Sequence, residues 1–546
     1  MRTPGTSSVV TRSLVAGWRR ATSDWRRAES GSVLLLGLVL SVLLLLTIAA
    51  AVSVTVTMGK EAQYDLDRTR ALAVTEGVTE SAQKAMLEKI ANFEAPDLAG
   101  NVALGGESYP FNIVPIGASY SQTDADGVTR SFQHYSISSN AKTGDGYATV
   151  ERVVDLTVTP IFQFMIFYND DLEILPGPSM ALGGRVHSNR SIYVGTGGTL
   201  KVDTEYFRCT GNILRKRKND NTESTGTVTF KVSGESSYEE MDNAHDSEYS
   251  KWTTYALDTW KGTVQDGAHG VREVAAPRIG TLKAFRPDGT KGYYHANADM
   301  VVVGTNAYDR SGNLLSLPAG TITEKKMYDA REGKTVRLSE INVGLLNSSG
   351  YFPPNGLIYA YRTDTSSSQP NGIRLTNGKE LQKPLTVASE DPVYIKGDFN
   401  TVNKKGAAVL CDALNLLSNA WNDSKTSSSG LPTASNTTYN VAVVTGNVPT
   451  PDGGGDYSGG FENLPRFHEN WTNKTAKIRG SFIKIFESEI ATKPWRYGGN
   501  VYTAPNRDWA YDPALNDLAN LPPFTPSAVY FQRVLWDDRV PLPFTS

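Results

Sequence analysis

The sequence predicts an α+β protein. We expect a long N-terminal helix that is first transmembrane and then amphipathic, a small antiparallel sheet, and a large mainly-β region built as a β-solenoid. Two observations support this fold class. No charged side chain and no proline occurs from Gly31 to Gly59, which is typical of a membrane helix. After about residue 100, short apolar runs alternate with turns rich in glycine, asparagine and serine, which indicates short strands.

The apolar run is long enough to cross a lipid bilayer. At about 1.5 Å per residue, a helix over residues 31–59 covers the hydrocarbon layer of about 30 Å with residues to spare. A cleaved secretory signal has a shorter apolar core, of about 7 to 15 residues. We therefore predict a single transmembrane helix at residues 31–59.

The charges on either side of the span predict its orientation. Residues 1–30 form a basic leader in which Asp24 and Glu29 are outnumbered by arginines, namely Arg2, Arg12, Arg19, Arg20, Arg26 and Arg27. Basic flanks stay in the cytoplasm. We predict a single-pass protein of the bacterial inner membrane with a cytoplasmic N-terminus. The body that follows Lys60 is then periplasmic or extracellular.

The helix is expected to continue beyond the membrane to about Phe93, because no proline or loop interrupts it. Apolar residues recur there at steps of three and four, as on an amphipathic helix, at Ala71, Val74, Val78, Ala82, Ala85 and Ile90. The runs ESYPFNIVPI, RSFQHYSISSNAKT and GYATVERVVDLTVTP then indicate strands. Asp124–Gly127 resembles part of a calcium loop but lacks its later ligands, so we predict a hairpin turn. Residues 60–159 are thus predicted to form a helix with antiparallel strands.

Residues 160–450 are predicted to form a solenoid-like body. The runs SMAL, RVH, SIYV and TLKV are separated by short Gly-Gly or Ser-Asn turns, a spacing that suits solenoid rungs better than sandwich strands. Residues 212–284 are polar and charge-rich, and we interpret them as an insertion. Residues 451–546 contain many prolines and four tryptophans, and we interpret them as a C-terminal cap; the tryptophans are Trp471, Trp495, Trp509 and Trp536.

Three features near the N-terminus carry a family resemblance. Glu29-Ser30-Gly31 precedes the aliphatic run, the helix continues out of the membrane, and an ALAVTEG segment begins at Ala71. Together they resemble the N-terminal region of PilX-type pilus assembly proteins, which are accessory members of the type IV pilin group. The resemblance implies a membrane helix that packs into a filament or an initiating complex. It also implies pilin-like subunits, or pilus or secretion machinery, as partners.

The resemblance further implies a processing site. Ser30, Gly31 and Ser32 match the position at which a prepilin-type peptidase would cleave, and a glycine lets the peptidase approach the backbone closely. Leu36 stands where filament-forming pilins carry a glutamate, which favours a minor subunit over a repeating one. Whether the chain is processed stays open. The β-rich remainder resembles uncharacterised bacterial envelope proteins, which implies no activity.

Bulk composition argues against two classes of protein. The net charge of −3 and the isoelectric point near 6.2 disfavour a nucleic-acid partner, which needs a basic surface. The basic run Arg215–Lys218 is therefore interpreted as a solvated loop. The two cysteines, Cys209 and Cys411, are too few for a disulfide framework, and we expect them to stay unpaired.

No motif in the sequence indicates catalysis, a cofactor or a metal. His187 in GGRVHSN has no second histidine at metal-binding spacing, so we predict a turn histidine bonded to the backbone. His468 in LPRFHENW is predicted to be a packed residue of the cap. GTGGTL at Gly195 lacks the spacing of a dinucleotide loop. The only tight acidic group at the start of the body is predicted to border a turn; it consists of Asp170, Asp171 and Glu173.

Two functional classes remain. We favour a membrane-anchored accessory (minor) pilin-like structural protein that acts in type IV pilus or related filament assembly or in surface contact, with surface polysaccharide as a further candidate partner. In this class the chain is not an enzyme. The alternative is a membrane-tethered β-solenoid polysaccharide hydrolase or lyase, because such enzymes use clustered carboxylates on one face.

Overall fold

The computed structural model describes residues 29–91, 94–124, 127–274, 276, 282–451 and 453–539. The basic leader, except for its last two residues, lies outside them. The chain divides into two compact units. Among the described residues, the first comprises 29–76, 140–149 and 538–539, and the second comprises the described parts of 77–139 and 150–537. The domain boundaries expected from the sequence stay predictions.

The first helix is continuous, as the sequence predicts. α1 spans Glu29–Ala91 and has 63 residues. Its described side chains from Val33 to Leu66 are all exposed, and its most apolar window has a mean hydropathy of 2.9 with no buried part. By length and composition, this is the one helix among the described residues that could cross a membrane.

The first unit contains a close approach between α1 and the tip of a hairpin. The backbone N–H of Asp145 donates to Oδ2 of Asp67 at 3.4 Å. A Cβ atom at Gly146 would lie 2.2 Å from the backbone nitrogen of Arg68, closer than any side chain allows. Glycine is therefore required at this position for the hairpin tip to contact the helix.

In the second unit, the end of α1 packs against a sheet that contains the first four strands. These strands are β1 (Ala99–Leu104), β2 (Glu107–Thr123), β3 (Thr129–Thr143) and β4 (Gly146–Pro160). β1 and β3 both pair with β2 in the antiparallel sense, as predicted. Ala82 and Met86 of α1 contact Ile113, Ile137 and Val154 of the sheet.

The helix face that is buried differs in part from the predicted one. Val78 and Ala82 are buried as expected, but Met86 is buried in place of Ala85, which is exposed. Met86 lies four residues after Ala82, and residues four apart share a helix face. The longer methionine also fills the space above the sheet better than alanine does.

The remaining strands are short, and most of their residues are buried. Those before residue 270 are β5 (Ile166–Tyr168), β6 (Leu172–Ile174), β7 (Met180–Gly183), β8 (Val186–Ser188), β9 (Ile192–Val194), β10 (Thr199–Asp203), β11 (Phe207–Cys209), β12 (Ile213–Leu214), β13 (Thr227–Lys231), β14 (Tyr238–Glu240) and β15 (Val264–Gln265). The short helices are α2 (Trp252–Trp260), α3 (Tyr293–Asn297) and α4 (Val343–Ser348).

The second half of the body contributes a further set. It consists of β16 (Met300–Val303), β17 (Asn306–Asp309), β18 (Ile322–Asp329), β19 (Lys334–Asn342), β20 (Leu357–Tyr361), β21 (Asn371–Thr376), β22 (Leu385–Ala388), β23 (Val393–Lys396), β24 (Ala407–Cys411), β25 (Leu414–Leu417), β26 (Thr437–Thr445), β27 (Arg466–Phe467), β28 (Thr475–Lys484), β29 (Asn506–Tyr511) and β30 (Ser527–Arg539). β30 joins the sheet of β1–β4, next to β4.

In the body, strands that are two or three positions apart in chain order pair in parallel and in register. Ile166 of β5 pairs with Val186 of β8, and Val186 pairs with Phe207 of β11. The same order recurs in β6–β9–β12 and in β7–β10–β13. Antiparallel pairs also occur, at β13–β14, β16–β17 and β18–β19. The region is thus mainly β with mixed sheets, and the solenoid stays a prediction.

The strand order connects segments of the predicted insertion and of the predicted cap with the rest of the body. Within the predicted insertion, β12 and β13 continue the parallel pairing of β9 and β10. β28, which falls within the residues of the predicted cap, lies between β5 and β26 in the twelve-stranded sheet. Its residue Phe482 is fully buried there.

One glycine allows β28 to occupy this position. A Cβ atom at Gly480 would lie 1.9 Å from the carbonyl oxygen of Val441 in β26. Only glycine lets the two strands approach this closely.

Candidate binding cleft

A cleft of about 350 Å³ lies beside the start of the body. Tyr168 ends β5, Asp170 and Asp171 lie in the turn before β6, and Glu173 lies in β6. The rest of the lining comes from distant segments and consists of Arg190, Lys218, Asn447, Pro449, Thr450, Ser458, Gly460, Lys484 and Glu487. We call this site the acidic cleft. The aspartates border a turn as predicted, but the sequence did not indicate a cleft.

Two lysines neutralise the two aspartates. Lys484, whose side chain is 4% exposed, forms an ion pair with Asp170. Lys218 lies 2.7 Å from Oδ2 of Asp171, and the backbone N–H of Ser191 donates to Oδ1 of Asp171 at 2.9 Å. Burial raises the pKa of Asp170, and the charge of Lys484 partly opposes this rise. The cleft therefore combines partly exposed aspartates with cations that are already engaged.

Glu173 is held at the bottom of the cleft by two hydroxyls. It is 4% exposed. Ser458 donates to its Oε2 at 2.9 Å, and the Thr450 hydroxyl donates to the same oxygen. Burial raises the pKa of Glu173, and the two hydroxyls partly counter this effect. Both hydroxyls bond to Oε2 and leave Oε1 of the same carboxyl for another partner.

Three buried polar atoms of this cleft have no hydrogen-bond partner within the described part of the chain. They are the Tyr168 hydroxyl, Oδ1 of Asp170 and Oε1 of Glu173. Tyr168 is 3% exposed, and burial keeps its pKa well above the usual range, so its hydroxyl stays protonated. A buried polar atom without a partner costs about 1–3 kcal/mol. Such atoms on one cleft wall indicate a place where something else supplies the bonds.

Glu462 is a second buried carboxyl near this region. It is 2% exposed, accepts the backbone N–H of Leu175 at 3.2 Å, and accepts the hydroxyl of Tyr457 at 3.3 Å. Burial raises the pKa of Glu462 to about 7, although Arg507 opposes the rise. The sequence around it, GGFENLP, gives no sign of a buried acid.

The raised pKa of Glu462 predicts a dependence of stability on pH. The unfolded carboxyl ionises near pH 4.5, whereas the folded one stays protonated to about pH 7. The unfolded state therefore binds fewer protons between these values, and stability falls as pH rises. Relative to Glu462→Gln, we expect the native chain to lose up to about 3 kcal/mol of unfolding free energy between pH 5 and pH 8.

This difference is measured by denaturant unfolding of both chains at several pH values. His187 and His468 titrate in both chains, so their contributions cancel. Glu489→Gln serves as the control because Glu489 is half exposed and pairs with Lys283 at the surface. If the difference in unfolding free energy between the native chain and Glu462→Gln varied with pH as little as that for Glu489→Gln, the raised pKa of Glu462 would be contradicted.

The other candidate residues of the sequence are structural. His187 is fully buried in β8, and its Nε2 lies 3.0 Å from Oδ1 of Asn189. Its Nδ1 lies 3.2 Å from the Tyr206 hydroxyl, and its ring stacks on Phe167. The expected backbone bond was thus wrong, because burial brings side-chain partners to both ring nitrogens. Burial lowers the pKa of His187 to about 4.

His468 is packed as predicted. It is 1% exposed, its Nε2 lies 2.9 Å from Oδ1 of Asn415, and its ring contacts those of Tyr394 and Trp421. Burial lowers the pKa of His468 to about 4. Both histidines are therefore neutral at physiological pH.

The basic run is a solvated loop only in part, because Arg217 is exposed whereas Arg215 is buried. Arg215 is 2% exposed and donates to the carbonyl oxygens of Val194 and Gly226, both at 3.0 Å. Arg217 lies over the ring of Tyr457. The prediction was wrong for Arg215, because the carbonyl oxygens that it bonds lie 21 and 11 residues away and the local sequence does not reveal them.

The other positions singled out in the sequence are the two cysteines, the Asp124–Gly127 turn and the possible processing site. Cys209 and Cys411 are free and buried. Gly127 donates its backbone N–H to the carbonyl of Asp124, as in a turn, although residues 125–126 lie outside the described residues. Ser30, Gly31 and Ser32 have a helical backbone at the start of α1, and their side chains lie outside the described part. Processing there stays a prediction.

The described residues contain no cluster of three or more histidine, cysteine or acidic side chains arranged for a metal ion. In the acidic cleft both lysines are paired with aspartates, whereas Oδ1 of Asp170 and Oε1 of Glu173 have no hydrogen-bond partner within the described residues.

Comparison with known proteins gives little further identification. No family model matches the chain, and no curated protein matches it. Among solved structures, the chain is similar to the competence-associated pilin ComZ from Thermus thermophilus, at 12% identity. That match covers 88% of this chain and 97% of the other, with a TM-score of 0.27. A TM-score this low does not show a shared fold.

Proposed function

We propose that this chain is a membrane-anchored accessory (minor) pilin-like structural protein. It acts in the assembly of a type IV pilus or related filament, or in surface contact. α1 is the observation that supports this proposal. Its first half exposes an uncharged, mainly apolar surface from Val33 to Met58, and soluble monomers rarely expose apolar patches of this kind.

The second half of the same helix has a different environment. From Val78 to Met86 its buried face packs against the antiparallel sheet of β1–β4, and Arg152 of β4 donates to Glu80. One helix thus offers an apolar half to lipid or to neighbouring helices and fixes its other half to a folded body. This division of one helix supports a pilin-like subunit.

The proposal includes the orientation of the chain in the membrane and a β-solenoid body. The basic leader supports a cytoplasmic N-terminus and a body outside the inner membrane. The parallel registers of β5–β8–β11 and of β20–β22–β24–β26–β28 support a β-solenoid, since each rung pairs residue for residue with the next. Such a body presents a long surface for contact.

The alternative class, a polysaccharide hydrolase or lyase, is favoured by one observation. Asp170 and Glu173 are carboxyls whose pKa is raised by burial, and a general acid needs a raised pKa. Glycoside hydrolysis also needs a second, ionised carboxylate that is available for water or sugar. Asp171 is engaged by Lys218 and by Ser191, so a structural role is preferred.

Deletion of the gene separates the two classes. We expect the deletion strain to change in piliation, adhesion or twitching, while its polysaccharide turnover stays normal. The native gene should restore the phenotype, and a gene carrying Glu173→Gln should restore piliation and twitching equally, because a structural role in assembly needs no acid. Normal piliation together with altered polysaccharide turnover would instead support the enzyme.

A further inference from the structure

We propose that the acidic cleft binds an uncharged, hydroxyl-rich saccharide. This inference goes beyond the proposed function, because it depends on residues of the body and not on the membrane helix. It rests on the partnerless atoms of the cleft, on its charge balance and on its position between fixed strands.

The partnerless atoms of the cleft favour a ligand with hydroxyl groups. Glu173 and Tyr168 are both more than nine-tenths buried, and both line the cleft. Each has a polar atom without a partner in the protein, as does Asp170. Polar groups buried in this way are normally bonded. A ligand with several hydroxyl groups offers the kind of partner that these atoms lack.

The hydrogen-bond donors and acceptors of the cleft match those of a sugar. Oδ1 of Asp170 and Oε1 of Glu173 accept hydrogen bonds, and the Tyr168 hydroxyl can donate or accept. A sugar hydroxyl also donates and accepts, so neighbouring hydroxyls on one ring suit this arrangement. A ligand that offers acceptors alone would leave both carboxyl oxygens without a partner.

The charges of the cleft favour an uncharged ligand. Lys484 and Lys218 are paired with Asp170 and Asp171, so neither cation is left to bind an anionic sugar. Glu173 and Glu487 add further negative charge. Like charges across a binding site oppose association. The cleft should therefore bind neutral sugars in preference to uronates.

The size and the position of the cleft are compatible with this ligand. Its volume of about 350 Å³ falls at the lower end of the range of small-molecule sites, about 300–1,000 Å³. Tyr168 ends β5 and Lys484 ends β28, and these strands pair directly at the middle of the large sheet. Site residues on paired strands are held more precisely than residues on loops.

The test measures binding by the full-length chain in lipid nanodiscs, which avoids detergents with sugar head groups. Cellohexaose, maltohexaose and the hexamer of N-acetylglucosamine are titrated calorimetrically, and the hexamer of galacturonate serves as the anionic comparison. We expect at least one uncharged hexamer to bind, with at least tenfold higher affinity than the galacturonate.

Tyr168→Phe is the decisive variant, because its hydroxyl makes no bond within the described chain and its loss should not impair folding. We expect the affinity for the uncharged hexamer to fall about threefold to tenfold, which corresponds to one hydrogen bond. Tyr439→Phe is the matched control. It removes another buried hydroxyl, which donates to the carbonyl of Leu417 at 2.8 Å away from the cleft, and should leave binding unchanged.

Two results would overturn the proposal. One is that no uncharged hexamer binds at millimolar concentration, which would mean that water alone satisfies the cleft. The other is that Tyr168→Phe and Glu173→Gln both bind the hexamer as tightly as the native chain. Either result would leave the membrane anchoring of the chain unaffected, so this failure is distinguishable from a failure of the proposed function.

Discussion

Replacing Leu44 and Leu45 together by aspartate should release the chain from the membrane. Both leucines lie near the middle of the apolar half of α1 and are more than half exposed. On a membrane-insertion scale, a central leucine contributes about −0.3 to −0.6 kcal/mol and a central aspartate costs about 2.5 to 3.5 kcal/mol. The double substitution therefore costs about 6–8 kcal/mol, which is comparable with the total gain from inserting the helix.

The measurement is the share of the chain that stays in the membrane pellet after an alkaline carbonate wash. Tyr64→Asp together with Leu66→Asp is the matched control. Both residues are 45% exposed on the same helix, but they follow Lys60 and Glu61 and lie outside the predicted span. We expect this control to stay in the pellet. Equal retention of both double variants would contradict a lipid anchor at this segment.

Arg374→Met should destabilise the body by about 3–5 kcal/mol, the usual effect of removing one partner from a buried ion pair. Arg374 lies in β21 and is 1% exposed. Its Nε donates to Glu340 at 2.7 Å, and its two terminal nitrogens donate to the Asp423 carboxylate at 2.6 and 2.8 Å. Methionine fills similar volume but leaves both carboxylates without their cation.

The comparison is made by denaturant unfolding monitored by tryptophan fluorescence, to which Trp421 beside Asp423 should contribute. Arg479→Met is the control, because Arg479 pairs with Asp508 at the surface, where the side chains are 27% and 47% exposed. Surface pairs of this kind contribute about 0–1 kcal/mol. If both variants lost the same stability, the buried pair would have no special role.

The sequence alone determined those features that depend on local patterns. The apolar run after Gly31, the amphipathic steps from Ala71, and the strands in SMAL, RVH, SIYV and TLKV all occur in the structure. They could be predicted because composition and periodicity within about ten to twenty residues decide whether a segment suits lipid, a helix face or a strand.

Only the tertiary structure decided which distant segments meet. β28 lies between β5 and β26, and β30 joins the sheet of β1–β4. Strand pairing over hundreds of residues depends on how the whole body packs, and no local period encodes it. For this reason the sequence did not reveal that β28 pairs with both β5 and β26.

The acidic cleft shows the same limit for a functional site. Asp170, Asp171 and Glu173 were visible in the sequence as one acidic group. Their partners Thr450 and Lys484 are 277 and 314 residues away from Glu173 and Asp170, respectively. The sequence shows which charged residues are present. Burial and the pairing of remote strands decide which aspartates are paired with lysines and which carboxyl oxygens stay without a partner. Burial and strand pairing thus make the acidic turn part of a cleft.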